Sequence, residues 1–263
     1  LNVKPSIYSE NNTVEDILKS FRLLDIYENL EEQIKIAVDN NLSHREFLEN
    51  LLHIEHQGKK ERRKERNIKA AKFEKIATLE EFDFSFQKSI NMAQIKELAT
   101  LNFLEKNENI ILIGPNGVGK SHISQSIGLR ACEEGKKVLF TPAIELIERL
   151  ETAYEEGKLK EFFKKLSRID LLIIDEFSHF KMNKEKESIF FQLIRQRYEK
   201  SSLIITTNIP LGSWDHIFTS KLAATAVLDR LVHHCHVISI PGDSYRVKAK
   251  IKEDEFESQR HRP

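Results

Sequence analysis

Residues Gly114–Ser121 read GPNGVGKS, which fits the pattern G-x-x-x-x-G-K-[ST] without a mismatch. An apolar strand, IILI, precedes it, and a helix-like stretch, HISQSIGLRA, follows it. The chemistry of such a loop is phosphate binding. Gly114, Gly117 and Gly119 let the backbone curl until its N–H groups converge on phosphate oxygens, and the next helix adds its positive dipole end. Pro115, Asn116, Val118 and His122 complete the expected cradle. Lys120 is expected to reach the β- and γ-phosphates of ATP, and the Ser121 hydroxyl to ligate Mg²⁺.

A second anchor is LLIIDE (171–176), an apolar strand ending in two carboxylates. Carboxylates there are costly unless they face a ligand or solvent. Downstream of a phosphate loop, Asp175 is placed to hold Mg²⁺ and Glu176 to polarise an attacking water. An acidic turn or helix cap is the plainer alternative. SLIITTN (202–208) is a buried strand with a polar tip, so Asn208 is expected beside Glu176, orienting water near the γ-phosphate, or else in a simple Asn-Ile-Pro turn. Arg230, on a predicted helix, fits either a surface ion pair or an arginine finger entering a neighbouring subunit's nucleotide site. Arg246, in GDSYRVK, is placed to contact the γ-phosphate of its own subunit. Arg195 and Arg197 read as solvated or packing residues. The run HHCH (233–236) lacks the spaced pairs of structural zinc sites and reads as packing or solvated residues. His53 and His56 read as helix-surface residues.

These residues need a scaffold. From Ile110 onward, short β-branched runs (NIILIG, KKVLFT, DLLIID, SLIITTN, HVISI) alternate with helical segments. That alternation predicts a parallel α/β sheet with helices on both faces. Upstream, residues 13–57 read as a helical block. Thr13 with Asp16 and Ser43 with Glu46 look like capping boxes ahead of helically spaced apolar residues. The stretch 59–75 carries nine Lys or Arg against three Glu. It suits either a solvated helix face or phosphate neutralisation on nucleic acid by Lys59, Lys60, Arg62, Arg63, Lys64, Arg66, Lys69 and Lys72. Lys158, Lys160, Lys164 and Lys165 offer a second basic group. LEEFDFSF (79–86) reads as an extended lead-in to the second domain. The expected division is a helical domain over 1–78, an ATPase domain over 79–250 and a polar tail over 251–263.

Composition narrows the class. Lys+Arg and Asp+Glu are 41 each, so any polyanion site must be a local patch rather than a whole-chain field. Two cysteines, Cys132 and Cys235, in no paired spacing argue against a disulfide framework and suit a reducing compartment. No apolar h-region opens the chain, and no run approaches the length of a membrane span, so a cytoplasmic protein with no membrane partner is expected. Leu1 in place of Met fits a non-standard start codon or a shortened chain.

The blocks GPNGVGKSHIS, LLIIDEF, SLIITTNIPLGSWDHIF, LDRLVHH and GDSYRVK resemble, in order, those of the IstB/DnaC-type AAA+ ATPases. LSHREFLENLLHIE, RRKERNIKAAKF and LEEFDF resemble the N-terminal half of IstB-like helpers of insertion-sequence transposition. The resemblance implies an AAA+ core with sheet order 5-1-4-3-2 behind a small all-α domain. It makes Lys120 and Ser121 Walker A, Asp175 and Glu176 Walker B, Asn208 the first sensor, Arg230 the finger and Arg246 the second sensor. Too few residues follow the last strand for the helical lid that carries this last arginine in many AAA+ proteins. Residues 143–166 resemble the family's helical insert. The implied function is Mg²⁺-dependent ATP hydrolysis by a homo-oligomer that assembles on duplex DNA, remodels it and delivers it to a transposase. A helicase loader and a nucleotide-binding module with little turnover are the alternatives.

Overall fold

A computed structural model describes residues 13–87, 89–178 and 180–245. They fall into two units, divided between Glu65 and Arg66. Arg246 and the tail 251–263 lie outside the described residues.

The first unit holds α1 (Val14–Ser20), α2 (Leu24–Asp39) and most of α3 (His44–Ala71). The capping box predicted at Thr13 and Asp16 forms at the start of α1. Ser43 and Glu46 pair in the same reciprocal way before α3 (2.7 and 3.3 Å). Within the helical block expected over 13–57, whose second start is expected at Ser43, a further break falls at Arg22. That residue is left-handed (φ 55°), and the Leu23 amide bonds back to the Leu18 carbonyl at 2.8 Å, a Schellman-type stop. Inside this unit Glu55 is buried, 3% exposed, and accepts the first amides of α2 from Asp25 and Ile26 (3.0 and 3.2 Å). His53 and His56 are exposed on α3, as expected.

The second unit is built on a five-stranded parallel sheet: β1 (Asn109–Ile113), β2 (Val138–Pro142), β3 (Leu171–Asp175), β4 (Ser202–Thr207) and β5 (Cys235–Ser239). The spatial order is β2-β3-β4-β1-β5, the predicted order read from the other edge. The three inner strands are continuous apolar runs because both of their faces are covered. Ile111, Leu172, Ile174 and Ile205 enter one core, while Ile110, Leu112, Leu171, Ile173 and Ile204 enter the other. Each such side chain, fully buried, contributes roughly 1.5–3 kcal/mol.

The first core is completed by α7 (Ala143–Glu155), α8 (Leu159–Leu166), α9 (Lys184–Arg197) and α10 (Lys221–Val232). The second is completed by α4 (Met92–Leu98), α5 (Asn102–Glu105) and α6 (Lys120–Glu133). The predicted helical insert over 143–166 is the pair α7 and α8. Arg197, one of the two arginines read as solvated or packing, is a packing residue. It is 3% exposed and donates to the carbonyls of Leu166, Ile169 and Ser202. Burial pushes its guanidinium down to about 10, with Asp170 opposing, so it stays a cation at neutral pH. Arg195 is exposed.

Residues 79–86 form successive turns rather than an extended lead-in. The reason is local: Asp83 Oδ1 accepts the amides of Ser85 and Phe86 (2.9 and 3.1 Å), an Asx-type turn that competes with strand geometry.

Candidate nucleotide site

The C-terminal ends of β1, β3 and β4 meet at one end of the sheet, and each expected residue on them follows from its strand. β1 runs into Gly114, whose amide donates to the Thr207 carbonyl of β4 (3.1 Å). The loop then curls to Gly119, the N-cap of α6, at φ 98°. An L side chain rarely adopts that angle, and a Cβ there would also collide with the Phe82 ring. Val118 anchors the loop from beneath, buried in the core with Ile110 and Ile123.

Lys120 is 8% exposed, and its ammonium donates to the Gly114 and Pro115 carbonyls, both at 2.8 Å. The cation is therefore held by the loop's own carbonyls at the start of α6, and a helix N-terminus is a place where anions are favoured. Beside it, Ser121 Oγ lies 3.0 and 2.8 Å from the two Asp175 carboxylate oxygens. Asp175 is 4% exposed and takes a further hydrogen bond from Thr206 Oγ1 at 2.6 Å. Two hydroxyls and a buried carboxylate thus converge next to a phosphate-type loop. Such an all-oxygen donor set fits Mg²⁺, which takes a carboxylate or two and keeps most other positions for water and substrate phosphates.

Glu176 follows in the left-handed region, φ 55°. Its amide is held by Thr206 Oγ1 (2.9 Å) and the next amide, of Phe177, by the Thr206 carbonyl (2.8 Å). A non-glycine residue pays roughly 1–2 kcal/mol for this conformation. Here it leaves Asp175 buried and Glu176 exposed, although the two are adjacent in the chain. Asn208, at the tip of β4, donates to Asn116 Oδ1 of the loop at 3.4 Å. Lys120, Ser121, Asp175, Glu176 and Asn208 are thus grouped at one end of the sheet.

Sequence reading missed three contributors. Thr206 organises Asp175 and Glu176, yet in a strand its β-branched side chain reads as a strand former; the signal available was a threonine pair closing a buried apolar run. Phe82 covers Gly119 and stacks edge-on against His122 (5.3 Å), whose Nε2 lies 2.7 Å from the Thr78 carbonyl. Tyr245 donates its amide to the Gly117 carbonyl at 2.9 Å and packs edge-on against Phe86 (5.0 Å). Both lie far from the loop in sequence, so spacing gave no hint of them.

One expected residue sits apart from this cluster. Arg230 is half-buried on α10; its guanidinium lies 4.7 Å from the Phe191 ring centre and donates to the Ala226 carbonyl (2.8 Å). The basic run lies on α3, where Arg62 is paired with Asp25, Lys59 with Glu55 and Lys64 with Glu61. Among the described residues no helix is long and apolar enough to cross a membrane.

Comparison with known proteins agrees with this geometry. The chain is 40% identical over 239 residues to an insertion-sequence ATP-binding protein of Pseudomonas aeruginosa, covering 91% of this chain and 90% of that one. A counterpart from Bacillus thuringiensis subsp. berliner is 38% identical, covering 88% and 92%. Among solved structures, AMPPCP-bound DnaA from Aquifex aeolicus superposes with a TM-score of 0.54 at 20% identity, covering 71% of this chain and 56% of that one. DnaI gives 0.52 at 18%, covering 64% and 89%. These last two show a shared fold, the AAA+ P-loop core. The family model described as IstB-like ATP binding protein matches residues 16–253, and the chain belongs to that family.

Proposed function

We propose that this chain is an ATPase which, with ATP bound, assembles on duplex DNA, remodels it and presents it to a transposase. The observation that carries the catalytic part is the convergence of Ser121, Asp175 and Thr206 beside Lys120, with Glu176 turned outward next to them. In this reading Lys120 binds the β- and γ-phosphates in the cradle formed by Gly114–His122. Ser121 and Asp175 hold Mg²⁺, which supplies charge neutralisation on the phosphates when bound. Glu176 accepts the proton of the attacking water, and Asn208 orients that water. Arg230 completes the site of a neighbouring copy, and Arg246 contacts the γ-phosphate in its own.

The DNA part is supported by the exposed Lys/Arg residues of α3, from Lys59 to Lys69, with Lys72 just beyond its end. The Pseudomonas aeruginosa and Bacillus thuringiensis relatives are insertion-sequence proteins, which supports a transposase as partner. Assembly from several copies follows from a finger that acts across an interface.

Sedimentation with duplex and single-stranded DNA, in ATP, ADP or neither, tests this reading. The expected result is ATP-dependent assembly on duplex DNA that is salt-sensitive and absent in Lys120→Ala. Preference for single strands, or no DNA-dependent assembly, would favour a helicase-loader role instead.

A further inference from the structure

We propose that Glu199, His233 and His234 form a divalent transition-metal site at the end of the sheet opposite the phosphate loop. Glu199 lies just before β4, and the two histidines lie just before β5, at the strands' N-terminal ends. One ligand atom from each residue lies within 4.8 Å of the others. His234 Nε2 is 3.7 Å from Glu199 Oε1. Two ligands on one tetrahedral ion with bonds of 2.0–2.2 Å stand about 3.3 Å apart, so small rotamer changes of exposed side chains close the set.

Read as sequence, HHCH lacks the spacing of a metal site. The fold supplies what spacing lacks. α10 ends at Val232, the chain turns, and the adjacent rings of His233 and His234 come to 4.1 Å between centroids. Glu199, left-handed at φ 57° just past the end of α9, brings the carboxylate. The Tyr198 hydroxyl bonds His233 Nδ1 at 2.9 Å, the kind of outer contact that orients a ligating imidazole. The other half of the run is used differently. His236 Nε2 bonds Glu108 at 2.9 Å, and Cys235 begins β5, partly buried.

Two imidazoles and one carboxylate form a borderline donor set that suits Zn²⁺, Ni²⁺ or Co²⁺ better than Mg²⁺. All three side chains are exposed, so the remaining coordination positions open to water. The ligands come from the ends of α9 and α10, and Arg230 stands one turn before His233, packed on Phe191 of α9. An ion here would pin that helix pair. The inference does not depend on the ATPase reading.

Calorimetric titration of tag-free, nucleotide-free and Mg²⁺-free full chain with Zn²⁺ tests it, with Co²⁺ absorption as a report on geometry. One ion per chain is expected. Glu199→Gln and His234→Ala should each weaken binding at least about tenfold, while Lys120→Ala leaves it unchanged. Zn²⁺ should raise the melting temperature of the wild type and not of these variants. The proposal is overturned if the wild type binds no Zn²⁺, or if a Glu199→Gln, His233→Ala, His234→Ala triple variant binds it equally well.

Discussion

Thr206 hydrogen-bonds Asp175 Oδ1 at 2.6 Å and, through the same oxygen, accepts the Glu176 amide at 2.9 Å. One hydroxyl on β4 therefore fixes both consecutive acidic residues at the end of β3, the last strand residue Asp175, which is buried, and Glu176 just beyond it, which turns outward. Thr206→Val keeps the shape and deletes that oxygen. A buried carboxylate and an amide each lose a partner, which costs about 1–3 kcal/mol for each buried group left unmet. Denaturant melts should show this loss, and ATP turnover should fall further than ATP binding. Thr206→Ser should restore most of both.

In the proposed mechanism, Glu176 separates binding from hydrolysis. Glu176→Gln leaves Asp175, Ser121 and Lys120 in place, so nucleotide affinity should hold while turnover drops by about 10²–10⁴-fold, the range for losing a general base. Glu176→Gly should be equally inactive but no less stable, because glycine adopts φ 55° without the penalty that glutamate pays. Fluorescent-nucleotide binding alongside phosphate release distinguishes these outcomes. Loss of affinity in Glu176→Gln would count against the assignment.

Much of this site was legible in sequence for a definite physical reason. The strands of a sheet covered on both faces must be apolar throughout, so NIILIG, DLLIID and SLIITTN stood out, and the phosphate loop's glycines are tied to a backbone shape. The residues that could not be read act through tertiary contacts. Thr206 touches β3 across the sheet, Phe82 reaches Gly119, and Tyr245 reaches Gly117 from beyond β5. The turns at 79–86 were misjudged because alternating Phe residues suggest a strand, whereas Asp83 binds its own downstream amides. The stop at Arg22 carries no glycine to announce it.

In the proposed function, Arg230 is the residue whose role depends on a second copy. If it acts as an arginine finger, Arg230→Ala should leave ATP binding near wild type and cut turnover by about 10³-fold or more. Mixing it with Lys120→Ala supplies the stronger test. Where an Arg230→Ala subunit's intact loop faces a Lys120→Ala subunit's intact arginine, a complete site is rebuilt and activity should partly return. No recovery in mixed assemblies would leave Arg230 with only its packing against Phe191.

The basic run on α3 is not uniform, and Arg62 shows why. It donates to both Asp25 oxygens (2.7 and 2.6 Å) and lies 3.5 Å from Glu55. Asp25 in turn lies against the backbone of Gly58, where a Cβ would collide with its carboxylate. Hydrogen bonding from Arg62 holds the Asp25 carboxyl below its usual range. A lowered folded pKa means the stabilisation is fully present above the unfolded value, roughly 3.9, and is lost as pH falls through the folded one. Carbon-detected titration of Asp25 should therefore show a depressed midpoint that returns toward normal in Arg62→Ala. At neutral pH Arg62→Ala should lower the melting temperature, and the difference from wild type should shrink as pH falls through the lowered Asp25 pKa. Gly58→Ala, worth up to about 1 kcal/mol of gain in an ordinary helix interior, should here destabilise by displacing Asp25. In DNA binding the contrast is sharper. Replacing exposed Lys60 should lower the salt slope by about 0.9 per lost phosphate contact, whereas Arg62→Ala should act on stability and leave the slope nearly unchanged. Equal effects of the two on the slope would show that Arg62 leaves Asp25 for phosphate when DNA binds.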